Sequence, residues 1–196
     1  MKTTFKVIIV SMAIASCATI DLRKNLRERT VNYDVKEDVV IDNDTKLVWQ
    51  RGHGGQQKHA SAVKYCQDLT LGGYDDWRLP SISELKTLIV GCQTNTDACR
   101  VSDSCLSYDD SCYYTLGARI PVDPDCVCPK GMGSGEDKFY WQKDVWKGRG
   151  IQFWSSSFIS GVFWGENIWT VSFDSAGISF AHKDNANIVR CVRGPL

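Results

Sequence analysis

Nine cysteines in a chain of 196 residues restrict the fold more than any other feature. One of them, Cys17, closes a short apolar leader. The others are Cys66, Cys92, Cys99, Cys105, Cys112, Cys126, Cys128 and Cys191. Whether such a set reads as metal ligands, redox thiols or bridges depends on the compartment, and the leader decides that. Lys2 and Lys6 form a cationic start, and Val7 to Ala15 is an apolar run. A membrane-spanning helix needs about 20 residues, so this run is too short to span. Residues 1–16 therefore read as an export signal. An even set of cysteines in an exported chain reads as a disulfide framework, and spacing alone leaves its connectivity open.

The leader ends in Ile14-Ala15-Ser16-Cys17. This tetrapeptide resembles the bacterial lipobox, in which an aliphatic residue and small residues precede an obligatory cysteine. The resemblance implies a diacylglycerol on the Cys17 thiol and cleavage just before it. Residues 17–34 are polar, without apolar period, and read as the lipidated N-terminus and a tether. Arg23, Lys24, Arg27 and Arg29 within it read as a solvated linker. Ala18, where an aspartate would favour inner-membrane retention, implies an outer-membrane lipoprotein facing the periplasm or the cell surface. The membrane is thus an expected partner through the lipid. The formal net charge is zero, which leaves no basic footprint for nucleic acid.

The domain itself is expected over residues 35–196. Val39-Val40-Ile41 and Leu47-Val48-Trp49 flank Asp42-Asn43-Asp44-Thr45, which predicts a β-hairpin. Arg51 to Gln57 is a glycine-rich loop. Ala60, Val63, Cys66 and Leu69 predict a short helix that turns Cys66 to the core and ends at Gly72-Gly73. A second helix is expected after Pro80, with Ser81 and Glu84 as a capping box, Leu85, Leu88 and Ile89 as its stripe, and Gly91 as its cap. Residues 92–150 hold six of the cysteines among Asp, Ser and Gly. Too poor in apolar residues to hold by packing, they read as a long excursion stapled by its own bridges. Strands are expected at Phe153–Phe158, at the alternating Trp169–Phe173, at Ile178–His182 and at Ile188–Arg193. The order predicts an α+β fold with an antiparallel sheet and two helices.

Four segments together carry a family resemblance. They are Asp42-x-x-Thr45-x-Leu47-Val48-Trp49-Gln50; Ala62-x-x-Tyr65-Cys66 with Leu69; Gly73-x-Asp75-Asp76-Trp77-Arg78-Leu79-Pro80 with Glu84-Leu85; and Trp154-Ser155-Ser156 with Val189-Arg190-Cys191-Val192-Arg193-Gly194. In this order they resemble the Lcl C-terminal domain family, named for a collagen-like bacterial adhesin. The resemblance spans about residues 38–194, apart from the excursion. It implies a C-type-lectin-like fold and a bridge from the first helix to the last strand, Cys66 to Cys191. The chain departs from the pattern in two ways: no collagen-like repeat precedes the domain, and the six-cysteine excursion is unusually large.

Trp49, Trp77 and Trp154 lie in apolar segments and read as core. Arg78 is expected to pair with a carboxylate and lock the turn before Pro80. Ser155 to Ser157 have no histidine or acid placed to activate a nucleophile. Cys126-x-Cys128 could chelate a soft metal, but bridges to other cysteines are the expectation. His53, His59 and His182 lack zinc-ligand spacing. Asp103, Asp109, Asp110, Asp123 and Asp125 would suit calcium, yet the triplets of calcium-dependent lectins are missing, so they read as a solvated acidic loop. No metal or cofactor is expected.

Formylglycine-generating enzymes share the general fold, but their reactive cysteine pair has no counterpart here. The chain is therefore read as a non-enzymatic, adhesin-like binding module for a glycan or an envelope protein. An enzyme of that fold and a purely structural envelope protein stand as the alternatives. Tyr140, Trp141 and Trp146 lie in a polar stretch and are the candidate exposed anchors. Lys143 and Lys147 beside them would attract anionic groups such as sulfated glycans. The competing reading is that these rings cap the domain's own core.

Overall fold

A computed structural model describes residues 31–92, 99–105, 126–148, 150–159 and 166–195. Cys17, Cys112, Asp109, Asp110, Asp123 and Asp125 lie outside the described residues. Among the described residues, nine strands and two α-helices follow one another as β1 (Tyr33–Val35), β2 (Val39–Asp42), β3 (Val48–Gln50), β4 (Gln56–Gln57), α1 (His59–Gln67), α2 (Ile82–Lys86), β5 (Gln152–Ile159), β6 (Asn167–Ser172), β7 (Gly177–His182), β8 (Asn187–Ile188) and β9 (Val192–Arg193).

The fold is α+β, as expected, but the described residues form two sheets instead of one. The first runs β1-β2-β3-β9 and is antiparallel. The second runs β4-β8-β5-β6-β7 and is antiparallel except where β8 joins β5 in parallel. The single last strand expected at Ile188–Arg193 is two short strands, one in each sheet. Between them the chain bonds to the glycine-rich loop: Val189 N donates to Gly55 O, and Gly54 N donates to Val189 O. Those bonds leave Val189–Cys191 outside both ladders and carry the chain from one sheet to the other.

The β2–β3 hairpin turns where predicted. Asp42 Oδ1 accepts from the backbone of Asp44 at 2.9 Å and of Thr45 at 3.2 Å, an Asx turn that replaces backbone pairing. Side chains along the strands alternate between two cores. Val40, Trp49, Phe153, Trp169 and Val171 face one, with Ile82, Leu85, Leu88 and Ile89 from the α2 region. Val39, Val48, Trp154 and Ile168 face the other, with Ala62 and Cys66 of α1. Trp49, Trp77 and Trp154 are all buried, as read from the sequence.

Helix α1 buries His59, Ala62 and Cys66, a stripe set by the 3.6-residue period. Ala60, which a strict spacing of three would place inside, is exposed. The helix ends before Gly72-Gly73. Those glycines, with φ of 62° and 84°, instead form a tight turn closed by Leu71 and Tyr74. Helix α2 has the full capping box: Ser81 Oγ accepts from Glu84 N, and Ser81 N donates to the Glu84 carboxylate at 2.8 Å. The same carboxylate takes both arms of the Arg78 guanidinium, at 2.7 and 2.6 Å. This is the expected lock on the Arg78-Leu79-Pro80 turn, and a bidentate fork makes it strong.

Three bridges are formed between described cysteines: Cys66–Cys191, Cys92–Cys128 and Cys99–Cys126. The first is the bridge implied by the family resemblance. Cys126 and Cys128 each pair with another cysteine and do not chelate. Cys105 is disulfide-bonded too. The excursion is stapled by its own bridges, Cys92–Cys128 and Cys99–Cys126, as expected, and its described residues pack as well. Cys99, Val101, Cys105, Cys126 and Phe139 are part of the main core. Lys86 Nζ donates to Cys99 O and Val101 O, and Trp169 Nε1 donates to Cys105 O.

Candidate functional site

The aromatic segment expected to be exposed is buried. Tyr140, Trp141 and Trp146 are 2%, 4% and 5% exposed. Tyr140 is tied to its neighbours by three bonds: its N–H donates to Phe173 O at 2.7 Å, its carbonyl accepts from Val90 N, and its hydroxyl donates to Pro129 O. Trp141 packs against Phe139, Phe153 and Phe173. Trp146 meets Tyr33 and Trp49 edge to face. Lys143 and Lys147 are exposed, and Lys147 Nζ reaches the Glu37 carbonyl at 2.8 Å, away from any open ring. The rings capping the core is therefore what the structure shows, and they form no ligand platform.

Arg190 explains why this polar-looking stretch turns inward. Its side chain is fully buried, with the guanidinium carbon 4.5 Å from the Trp146 ring centre, 5.1 Å from Phe153 and 5.4 Å from Trp141. Cation–π attraction strengthens when it is desolvated. Nε donates to Gly52 O at 3.0 Å, and Nη2 lies 3.5 and 3.4 Å from the carbonyls of Arg51 and Lys147. Burial drives the guanidinium down to about 9, and the Tyr33 phenol acts weakly against that. One side chain thus fastens the 141–147 segment to both sheets.

Asp103, read as part of an acidic loop, is a latch. Its carboxylate accepts from Ser81 Oγ at 2.9 Å, Ser83 N at 3.3 Å and Ser157 Oγ at 3.0 Å. Burial opposes its ionisation, but these donors outweigh burial and hold it below the ordinary carboxylate value. It joins the excursion to the start of α2 and to β5. Ser155 Oγ donates to Trp169 O and Ser157 Oγ to Asp103, so both hydroxyls are engaged in structure. His59 Nε2 donates to Ser155 O from a buried position. His182 lies at the surface with Asp184. Among the described residues no group of histidine, cysteine and acidic side chains could hold a metal.

An open groove of about 960 Å³ lies across the β4-β8-β5 edge of the second sheet. Its apolar side is Ile188 of β8, Phe139 and Ile151, the last 53% exposed. Its polar side is Gln56 of β4, Gln152 of β5, Asn187 of β8 and His53. Gln152 Nε2 donates across the sheet to Thr170 Oγ1 at 2.7 Å and to Ser179 Oγ at 3.1 Å, which fixes its amide. His53 Nδ1 accepts from Gly55 N at 3.0 Å, which fixes the ring. The Asn187 Nδ2 donor has no hydrogen-bond partner among the described residues. Gly150 keeps part of the wall as bare backbone, and Gly148 lets the chain pass close to the His53 ring. A Cβ on Gly148, where φ is 87°, would stand 2.4 Å from the His53 ring, and one on Gly150 would stand 2.6 Å from Ile188.

Sequence reasoning missed this groove. Its residues come from four separate segments, and none carries a local motif. The faint signal was Gly150, in a stretch otherwise rich in large residues.

A family profile for the Lcl C-terminal domain matches residues 38–193. No curated protein and no solved structure gives a match. The match covers strands β2 to β9, both helices and the edge that forms the groove, and the chain belongs to the Lcl C-terminal domain family.

Proposed function

We propose that this protein is a lipid-anchored, non-catalytic binding module of the bacterial envelope, with a C-type-lectin-like domain that receives a glycan in the β4-β8-β5 groove. The observation that carries the reading is the composition of the groove. The fixed amide of Gln152, the amides of Gln56 and Asn187 and bare backbone at Gly150 face an apolar flank of Ile188, Ile151 and Phe139. Amides both donate and accept, which matches sugar hydroxyls, and an aliphatic flank suits the C–H face of a sugar ring. Gln56, Gln152, Asn187 and Ile188 sit on paired strands, so little ordering is lost there on binding.

The anchor is Cys17, processed at the Ile14-Ala15-Ser16-Cys17 segment, in the outer membrane. Among the described residues no helix is long and apolar enough to cross a membrane. The first strand begins at Tyr33, so the residues from Ala18 to Asn32 form the tether. Fully extended, about 15 residues reach roughly 50 Å, enough to hold the groove clear of lipid headgroups.

A glycan array probed with the full chain tests the reading, beside Gln56→Ala and Ile151→Ala variants. Both residues are at the surface, so binding should fall while the thermal midpoint holds. A ligand whose affinity ignores both changes refutes the groove as the site. Radiolabelled fatty acid should enter the wild type and not Cys17→Ser.

A further inference from the structure

A row of polar side chains crosses the second sheet from edge to edge. Phe153 pairs with Ile188 in parallel, so Gln152 and Asn187, the residues before them, stand side by side on β5 and β8. Gln57 of β4 pairs with Asn187, and Ser172 of β6 pairs with Gln152. Thr170, at the next position on that face of β6, pairs with Ser179 of β7. Alternation puts these six side chains on the face opposite Phe153, Ile188 and Val171. Further along the same face Trp154, Ile168 and Ala181 pack into the second core. The face therefore changes from apolar to polar between Trp154 and Gln152, as a sheet face does where its cover ends. Gln57, Gln152, Ser172 and Ser179 are half-buried there.

The hydrogen bonding of this row is incomplete. Gln152 Nε2 donates to Thr170 Oγ1 and Ser179 Oγ, which uses both amide hydrogens and leaves the carbonyl oxygen as an acceptor. Gln57 Nε2 donates to Gly54 O at 2.9 Å, so this amide too is held by its nitrogen end. Between the two stands Asn187, 7% exposed, whose Nδ2 has no hydrogen-bond partner among the described residues. A buried donor left unmade is costly, and an acceptor stands on the next strand.

We propose that a neutral sugar chain of about four units lies along this row, crossing the strands from the groove to β7. The inference rests on the groove as the binding site and extends it, since Asn187 and Gln152 belong to both. Neighbouring strands lie about 4.8 Å apart, so five strands make a track of roughly 19 Å, and one pyranose unit covers about one strand spacing. A sugar hydroxyl donates and accepts at once, so it suits the Gln152 carbonyl and the Asn187 amide together. Every side chain in the row is uncharged. An anionic chain would find no cation in it, and the described lining of the groove holds Asp137 but no lysine or arginine. A peptide would add to an unpaired strand edge, whereas β8, β5 and β6 are paired on both sides.

The test uses the full-length protein and oligomers of glucose and of N-acetylglucosamine from one to six units, with heparin oligomers of matched length and a neutral hexapeptide as controls. Titration calorimetry should show affinity rising about three- to tenfold per added unit, as one net hydrogen bond gives, and levelling near four units. Ser179→Lys puts a long side chain on the β7 end of the row. It should bring the tetramer down to the affinity of the dimer and leave the monomer unchanged, with the thermal midpoint held. Where Ser179→Lys does not fold, the length series decides alone. Gln56→Ala lies in the groove and should weaken every length alike, which separates failure of the row from failure of the groove. Affinity independent of length, or a tetramer untouched by Ser179→Lys, overturns the row and leaves the groove standing. Heparin or the peptide binding as well as the neutral chains overturns the neutral-sugar assignment. No binding by any oligomer overturns row and groove together.

Discussion

The bridge between Cys66 and Cys191 should contribute more stability than any other single feature of this domain. It joins residues 125 apart in sequence, linking α1 to the crossing between the sheets. In the chain-entropy model, closing so long a loop in the unfolded state is worth about 5 kcal/mol. That is comparable with the whole stability of a small domain, about 5–15 kcal/mol. Helix α1 has particular need of it. It is 9 residues long, Lys58 provides no side-chain cap, and helices that short are marginal alone. The perturbation is a Cys66→Ala, Cys191→Ala double variant, which leaves the other bridges intact. At about 2–4 °C per kcal/mol for a chain of this size, the midpoint should fall by roughly 10–20 °C. Urea denaturation gives the free energy directly, and hydrogen exchange should show α1 amides losing protection first. A loss under about 1 kcal/mol, or α1 protection unchanged in a destabilised variant, refutes the reasoning.

Trp141→Ala should cost about 3–5 kcal/mol, as loss of a buried aromatic does, and a midpoint that stays put would return this ring to the surface. Ser81→Ala removes the α2 cap and one Asp103 donor together, so calorimetry should show a loss at or above the usual 1 kcal/mol or so for a cap alone. Acid should destabilise the protein in two windows. Burial holds the His59 imidazole below its ordinary 6.5, more than its bond to Ser155 O raises it, so the unfolded chain takes up a proton first and stability starts to fall below about that pH. Asp103 is held below 3.8, so its contribution is complete above that pH and disappears as the pH falls through its lower folded value. Denaturant midpoints measured from pH 8 to 2 check both, and a flat profile between pH 7 and 5 would exclude the His59 part.

Local chemistry was legible wherever a few neighbouring residues decide it. The Asp42 turn, the Ser81–Glu84 capping box and the Arg78–Glu84 fork each lie within six residues in sequence. Strands β5, β6 and β7 were legible because alternation and turn residues are local signals. The last segment misled because a continuous apolar run looks the same whether it pairs in one sheet or crosses between two. Nothing in Ile188-Val189-Arg190-Cys191-Val192 marks the crossing. It is set by bonds to Gly54 and Gly55, more than 130 residues earlier in the chain.

The aromatic stretch misled for a related reason, and it shows where such readings fail. Lysines and glycines around Trp141 and Trp146 suggested solvent, since polar neighbours usually mean a surface strand or loop. The polar character is real: Lys143, Asp144 and Lys147 are exposed. However, the rings alternate with them and turn onto Arg190, a cation that the sequence places among β-branched and apolar residues. A buried arginine reads as an exception until its aromatic cage is seen, and the cage reads as a surface until its arginine is seen. Each is the missing half of the other. The groove had the opposite fault. Its residues are ordinary, and only the meeting of β4 with β8, one strand edge against two residues from the far end of the chain, gives them a common face. Pairings of that separation determine where the groove forms in this fold, and the Cys66–Cys191 bridge is a covalent link of the same long range.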